Sequence, residues 1–196
     1  VIQGPWLMEE MQAQAEHVGT QVVWDTIVEI DLANGSPFRA VGDSGDEYIG
    51  DVVVIATGAQ AKWLGVPGEM ELGGKGVSAC ATCDGFFFRG KRVAVIGGGN
   101  TAVEEALYLT NHAEHVTLIH RRDSLRAERI LQDRLFAHPK ISVMWNKVVE
   151  SFEGDPAGAG LTHLVLADRA TGAREDFAVD GAFVAIGHAP ATELFK

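Results

Sequence analysis

The sequence predicts an α/β fold, a parallel sheet whose strands are joined by crossover helices. In the second half, short apolar runs alternate with helical stripes, and a strand–helix–strand order demands parallel pairing. Asp51–Ala56 (DVVVIA) and Ala182–Ile186 are apolar at nearly every position, as strands covered on both faces are. Glycine is also abundant, 23 of 196 residues against a usual share of about 7%, so the backbone must turn sharply or approach a ligand at several places.

Each element follows from its pattern. Leu7, Met8, Met11, Ala15 and Val18 form a helical stripe within residues 5–19. Gln21–Ile30 is rich in β-branched residues and reads as a strand, and Phe38–Val41 with Tyr48-Ile49 reads as a hairpin around Gly42–Asp46. Asp51–Ala56 is the next strand and runs into Thr57-Gly58. Gly65-Val66-Pro67-Gly68 and Gly73-Gly74-Lys75-Gly76 make residues 60–76 the best linker. Arg92–Ile96 is a strand, and Val103, Ala106, Leu107 and Thr110 mark a helix. His115–Ile119 is a strand, and Ala127, Ile130, Leu131 and Leu135 mark a helix that His138-Pro139 ends. Ile141–Val149, Leu161–Leu166 and Phe177–Val179 read as three strands, and Ala182–Ile186 closes the series.

Composition narrows the function. With 16 basic and 27 acidic side chains the net charge is −11, which disfavours non-specific nucleic-acid binding. No apolar run approaches the roughly 20 residues that span a bilayer, and Val1–Pro5 carries no signal-peptide pattern. Two cysteines only three positions apart, Cys80 and Cys83, suit a reducing compartment, so a cytoplasmic protein is expected.

Gly97-Gly98-Gly99-Asn100-Thr101-Ala102 fits G-x-G-x-x-A and follows a strand while opening a helix, the context that makes this pattern specific for a dinucleotide. Gly97 permits the tight turn, Gly99 lets backbone N–H groups reach a pyrophosphate, and small Ala102 lets helix and sheet pack closely. About 20 residues on, where an NAD site usually carries a carboxylate, the chain has His120-Arg121-Arg122 and then Arg126. Guanidinium forks bind a 2′-phosphate that a carboxylate would repel, so NADPH is expected over NADH.

Cys80-Ala81-Thr82-Cys83 has the spacing used in thiol–disulfide exchange. Two inert core thiols are the alternative; a zinc site would need further ligands, and nothing brings His112, His115 or His120 to the pair. No metal site is therefore expected. Asp84 either relays a proton to a thiolate or caps the turn. Phe86-Phe87-Phe88 is either core or, in part, an exposed landing site for a protein substrate.

These residues closely resemble the low-molecular-weight thioredoxin reductases. The resemblance rests on CATCDGFFFRGKRVAVIGGGNTAVEEALYL (80–109), HRRDSLRAERIL (120–131) and FVAIGHAP (183–190), and extends over essentially the whole chain. It implies a Rossmann-like NADPH-binding domain with a three-layer sheet and an inserted antiparallel meander, plus a partial FAD-binding domain. It implies that Cys83 is the thiol nearest a flavin, Cys80 the thiol that attacks the thioredoxin disulfide, and Asp84 the acid/base. Gly97–Ala102 with His120, Arg121, Arg122 and Arg126 would hold NADPH, and Phe86 and Phe87 would face thioredoxin. Ile186 and Gly187, and Thr57 and Gly58 at the end of the DVVVIATG run, join the cofactor-binding set.

The family reaction passes electrons from NADPH to FAD, to the cysteine pair, and on to thioredoxin, with one domain rotating against the other in a homodimer. Only one dinucleotide loop is present in these 196 residues. The expectation is thus an internal piece of a longer reductase that binds NADPH but holds FAD poorly: residues 1–60 part of the FAD domain, 61–190 the NADPH and disulfide domain, 191–196 the start of the return. The rival readings are an alkyl hydroperoxide reductase flavoprotein subunit and a non-catalytic dinucleotide-binding module.

Overall fold

A computed structural model describes residues 3–195; Val1, Ile2 and Lys196, which fall in the first and last expected segments, lie outside the described residues. The chain divides into two compact units, residues 1–58 with 191–196, and residues 59–190.

The smaller unit contains α1 (Gly4–His17), β1 (Ile27–Asp31), β2 (Phe38–Gly42) and β3 (Glu47–Gly50). The three strands form an antiparallel meander in sequence order. Asp25 braces its hairpin turn, accepting hydrogen bonds from the hydroxyls of Tyr48 and Ser44, both at 2.7 Å. Where the chain returns, Thr57 Oγ1 donates to the Ala191 carbonyl at 2.6 Å and Ala191 N–H donates to Gly58 O at 3.0 Å.

Two expectations fail in this unit. The strand predicted at Asp51–Ala56 is not formed, and Val52 and Val54 are 79% and 84% exposed. A strand needs a ladder partner for its N–H and C=O groups, and no described segment pairs with this one. The strand predicted from Gln21 starts only at Ile27, and Val23 and Trp24 are exposed. The helical stripe of α1 likewise buries none of its residues.

The larger unit continues with β4 (Ala59–Ala61), β5 (Val77–Ser78), α2 (Ala81–Asp84), β6 (Arg92–Gly97), α3 (Asn100–Leu109), β7 (His115–His120) and α4 (Arg129–Phe136). It ends with β8 (Ile141–Trp145), β9 (Lys147–Asp155), β10 (Gly160–Asp168), β11 (Arg174–Ala178), β12 (Gly181–Ala185) and β13 (His188–Pro190). Strands β5-β12-β6-β7-β8 form a parallel sheet in that order. Strands β9-β10-β11 form an antiparallel meander, and β4 pairs with β13.

Strand periodicity explains the three layers. Val93, Val95 and Phe183 point into a core shared with Ala102, Val103, Ala106 and Leu109 of α3 and Leu135 of α4. The alternate residues Ala94, Ile96, Ala182 and Val184 enter a second core with Val149, Phe152, Leu164 and Leu166 of the meander. Both sheet faces are covered, so β12 and, after its exposed Arg92, β6 are apolar. Each fully buried Leu, Val or Phe contributes about 1.5–3 kcal/mol over an exposed one.

The single strand expected over 141–149 is two strands in different layers. Asn146, at φ 56°, turns the chain from the parallel sheet into the meander, a conformation that Asn tolerates better than most residues. The glycine-rich stretch read as a linker is also packed structure. Leu72 is buried in the second core, and the buried Glu69 carboxylate accepts the N–H groups of Leu64 and Gly65 at 2.9 and 2.7 Å.

Candidate functional site

The C-terminal ends of β6, β7 and β12 open into a cavity of about 450 Å³ within the larger unit. This is where open α/β sheets bind ligands, because the loops leaving the strands diverge there. Gly97, Gly98, Gly99, Thr101, His120, Arg121, Arg126, Ile186 and Gly187 all line it. Asn100, Ala102 and Arg122 do not. Asn100 is committed to structure, its Oδ1 accepting the Glu128 N–H at 2.8 Å. Ala102 is buried, and a Cβ on Gly97 would lie 2.6 Å from its own Cβ, which is the close helix–sheet approach that the motif needs. Arg122 is exposed, with its carbonyl held by the Asn146 N–H at 3.2 Å. Thr57 and Gly58 belong to the smaller unit and are not part of this lining.

His120 sits beneath the glycine turn, its ring nitrogens 2.7 Å from Gly97 O and 3.0 Å from Ser124 O. Arg126 N–H donates to Gly98 O at 2.7 Å. The glycine turn and the arginine segment are therefore one hydrogen-bonded body. Two lining or supporting residues had no sequence signal. Lys147 reaches the cavity from the start of β9, and its ammonium pairs with Glu175 at 2.8 Å and Asp168 at 3.3 Å; the Glu175 contact leads in raising its pKa. Arg169 donates from Nη1 to Arg121 O at 3.0 Å, bracing the segment from the meander. Both lie far along the chain and meet the loop only because the meander folds back over it.

The two sulfurs are bonded to each other, and the pair is in the same compact unit as the cavity. Cys80 is the N-cap of α2, and its Sγ accepts the Cys83 N–H at 3.1 Å and lies 3.3 Å from Thr82 Oγ1. Donors aimed at one sulfur favour its thiolate when the bond opens. Asp84 closes the turn, its N–H donating to Cys80 O at 3.1 Å. Ser78, two residues before Cys80, belongs to no motif that marks it in the sequence; its hydroxyl donates to Asp84 Oδ2 at 2.6 Å and accepts the Cys80 N–H at 3.0 Å. The three phenylalanines divide: Phe88 is buried against Phe183, whereas Phe86 and Phe87 are 59% and 70% exposed, with the Arg89 guanidinium 4.7 Å above the Phe86 ring.

A family model described as Pyridine nucleotide-disulphide oxidoreductase matches residues 6–196. The chain is 52% identical to the thioredoxin reductase of Rickettsia felis over 194 residues, 99% of this chain and 62% of that protein. It is 53% identical to the Coxiella burnetii thioredoxin reductase over 199 residues, 100% of this chain and 61% of that one. Among solved structures, thioredoxin reductase from Giardia duodenalis superposes with a TM-score of 0.83 at 36% identity, covering 100% of this chain and 62% of that one. The Lactococcus lactis enzyme, in its FR conformation, gives 0.79 at 39% identity, covering 98% and 62%. The chain thus spans about 60% of the length of these relatives.

Proposed function

The chain belongs to the pyridine nucleotide-disulphide oxidoreductase family, and from that premise we propose that it is the NADPH-binding and disulfide-bearing part of a flavoprotein that reduces oxidised thioredoxin. The observation that carries this reading is that a cavity lined by Gly97–Gly99, Arg121 and Arg126 and a Cys80–Cys83 disulfide occupy one compact unit. The relatives, named thioredoxin reductases, favour it over the peroxide-reductase subunit and the non-catalytic module.

In this reading the backbone of Gly97–Gly99 lies against the pyrophosphate of NADPH, at the start of α3, where N–H groups are unpaired. Arg121 and Arg126 take the 2′-phosphate. Bound nicotinamide supplies a hydride, whereas the disulfide needs two electrons at sulfur, a mismatch that a flavin resolves. The described part of the smaller unit forms no glycine-rich phosphate turn and no strand–helix crossover. Residues 1–60, with Thr57 and Gly58, would supply only part of a flavin pocket, and we assign the rest of that pocket to the remainder of a longer protein.

The last step needs only this chain. Once reduced, the Cys80 thiolate attacks a thioredoxin sulfur, forming a mixed disulfide and releasing a thioredoxin thiolate, which picks up a proton relayed from solvent by Asp84. Cys83 then loses its proton and attacks Cys80, re-forming the internal bond, and the proton passes to the departing sulfur to give the second thioredoxin thiol. Phe86 and Phe87 offer an apolar surface for the partner beside the pair.

A single-turnover assay tests the proposal. The chain, reduced and freed of reductant, is mixed with oxidised thioredoxin and the thioredoxin thiols are counted. About one thioredoxin per chain is expected to be reduced, with none for Cys80→Ser; absence of transfer by the native chain overturns the reading.

A further inference from the structure

One ionisable group beside the disulfide has no part in the steps above. Glu105 lies on α3, which packs against α2; it is half-buried, and the backbone N–H of Ala81, the residue after Cys80, acts on its carboxylate. Its Oε2 is buried with no hydrogen-bond partner. A carboxylate presents two oxygens that each want a donor, and a buried, unpaired one favours the protonated acid. Burial accordingly pushes Glu105 up to about 7, against the opposing pull of the Ala81 N–H.

No charged side chain contributes to this shift. The titratable groups on the elements packed against α3 are Cys83 and Asp84 of α2 with Cys80 at its cap, Arg92 of β6, His115 and His120 of β7, and Arg129, Asp133 and Arg134 of α4. None is among its causes. The cysteines exert no charge only because they are bonded to each other. Opening that bond creates a thiolate next to Ala81, and a like charge that close drives a carboxylate further toward its acid form.

We propose that Glu105 is a positioning residue that takes up a proton when the Cys80–Cys83 bond is reduced, so that one sulfur can remain a thiolate without a second negative charge beside it. With a small dithiol as reductant, the S–S bond breaks and two electrons pass to the sulfurs while the reductant closes to its cyclic disulfide and releases two protons. One of these protons goes to one sulfur and the other to Glu105, leaving the second sulfur as thiolate. This rests on the reading of the pair as redox-active but not on the identity of its protein substrate.

The test equilibrates the 196-residue chain with dithiothreitol and its cyclic disulfide from pH 6 to pH 9, counting alkylated thiols by mass. Relative to Glu105→Gln, the native chain is expected to lose reduced form by up to a further tenfold between pH 7 and pH 8, about 30 mV for a two-electron couple. Parallel curves for the two proteins overturn the proposal. Should Glu105→Gln not fold, the native chain with 13C-labelled glutamate is reduced at pH 7.5 and examined by infrared difference spectroscopy. A gained protonated-glutamate band supports the proposal and its absence overturns it. A pair that no dithiol ratio reduces defeats the redox reading itself, an outcome distinct from parallel curves.

Discussion

The His120 ring lies 2.7 Å, at Nδ1, from the carbonyl oxygen of Gly97 and so ties the last residue of β7 to the turn that leaves β6. Its other nitrogen reaches Ser124 O. The residue that begins the arginine run is thus a clamp between the two halves of the proposed nucleotide cradle. Removing it takes away the N–H that one of these two carbonyls accepts and leaves a hole beneath Gly98. His120→Ala is expected to weaken NADPH binding roughly tenfold, the equivalent of about 1–2 kcal/mol. Isothermal titration checks this, and unchanged affinity would show that the cradle holds its shape unaided.

The three arginines are expected to separate in their effects. Arg121 and Arg126 line the cavity and Arg122 does not. A charge-assisted hydrogen bond is worth about 1.5–3 kcal/mol. Arg121→Ala plus Arg126→Ala should therefore lower the preference for NADPH over NADH by at least about 100-fold, whereas Arg122→Ala changes it by less than about threefold. Competition binding with both nucleotides measures the ratio; equal losses from all three positions would contradict the geometry.

Glycines of the same loop should fail in different ways. A Cβ on Gly97 would overlap the Ala185 carbonyl oxygen and crowd Ala102, while one on Gly99 meets nothing within 4 Å. Overpacking of this kind costs about 1–3 kcal/mol, so Gly97→Ala should lower Tm by roughly 2–4 °C for each kcal/mol in a chain of this size. Gly99→Ala should melt as the native protein does yet bind NADPH more weakly, because its methyl occupies the side open to the ligand. Thermal melts with and without NADPH separate the two.

The sequence was most legible where an element satisfies itself locally. β6, the Gly97–Ala102 turn and α3 were readable because alternation, turn residues and helical spacing all report on one strand–helix unit. Asp51–Ala56 carries the same apolar signal and forms no strand, since a pattern encodes a preference for burial but not the presence of a partner. Ile141–Val149 reads as one strand because periodicity does not mark a change of sheet at Asn146. At the site, residues within one motif were found, while Lys147, Arg169 and Glu105 were not. They are distant in sequence or sit at ordinary helix and strand positions, and only folding gives them a role.

The acid response of the smaller unit follows from Asp25. Its carboxylate is held well below the usual range, first by the Tyr48 hydroxyl, then by Ser44, with help from the Thr26 N–H. A carboxyl with a depressed folded value adds stability that is complete above its ordinary value near 3.8 and is lost as pH falls through the folded one. The Tyr48 and Ser44 hydroxyls fasten β3 and the β2–β3 turn to the segment before β1, so protonation frees the meander's edge. The stability of this unit in the native chain is expected to decline progressively below about pH 4, while Asp25→Asn is already weakened at neutral pH and shows a flatter acid dependence. Trp6 and Trp24 both lie in this unit. Urea unfolding followed by tryptophan emission at pH 3, 4 and 7, with Trp63 and Trp145 replaced by Phe, reads it selectively, and equal slopes for the two proteins would rule the network out as the source.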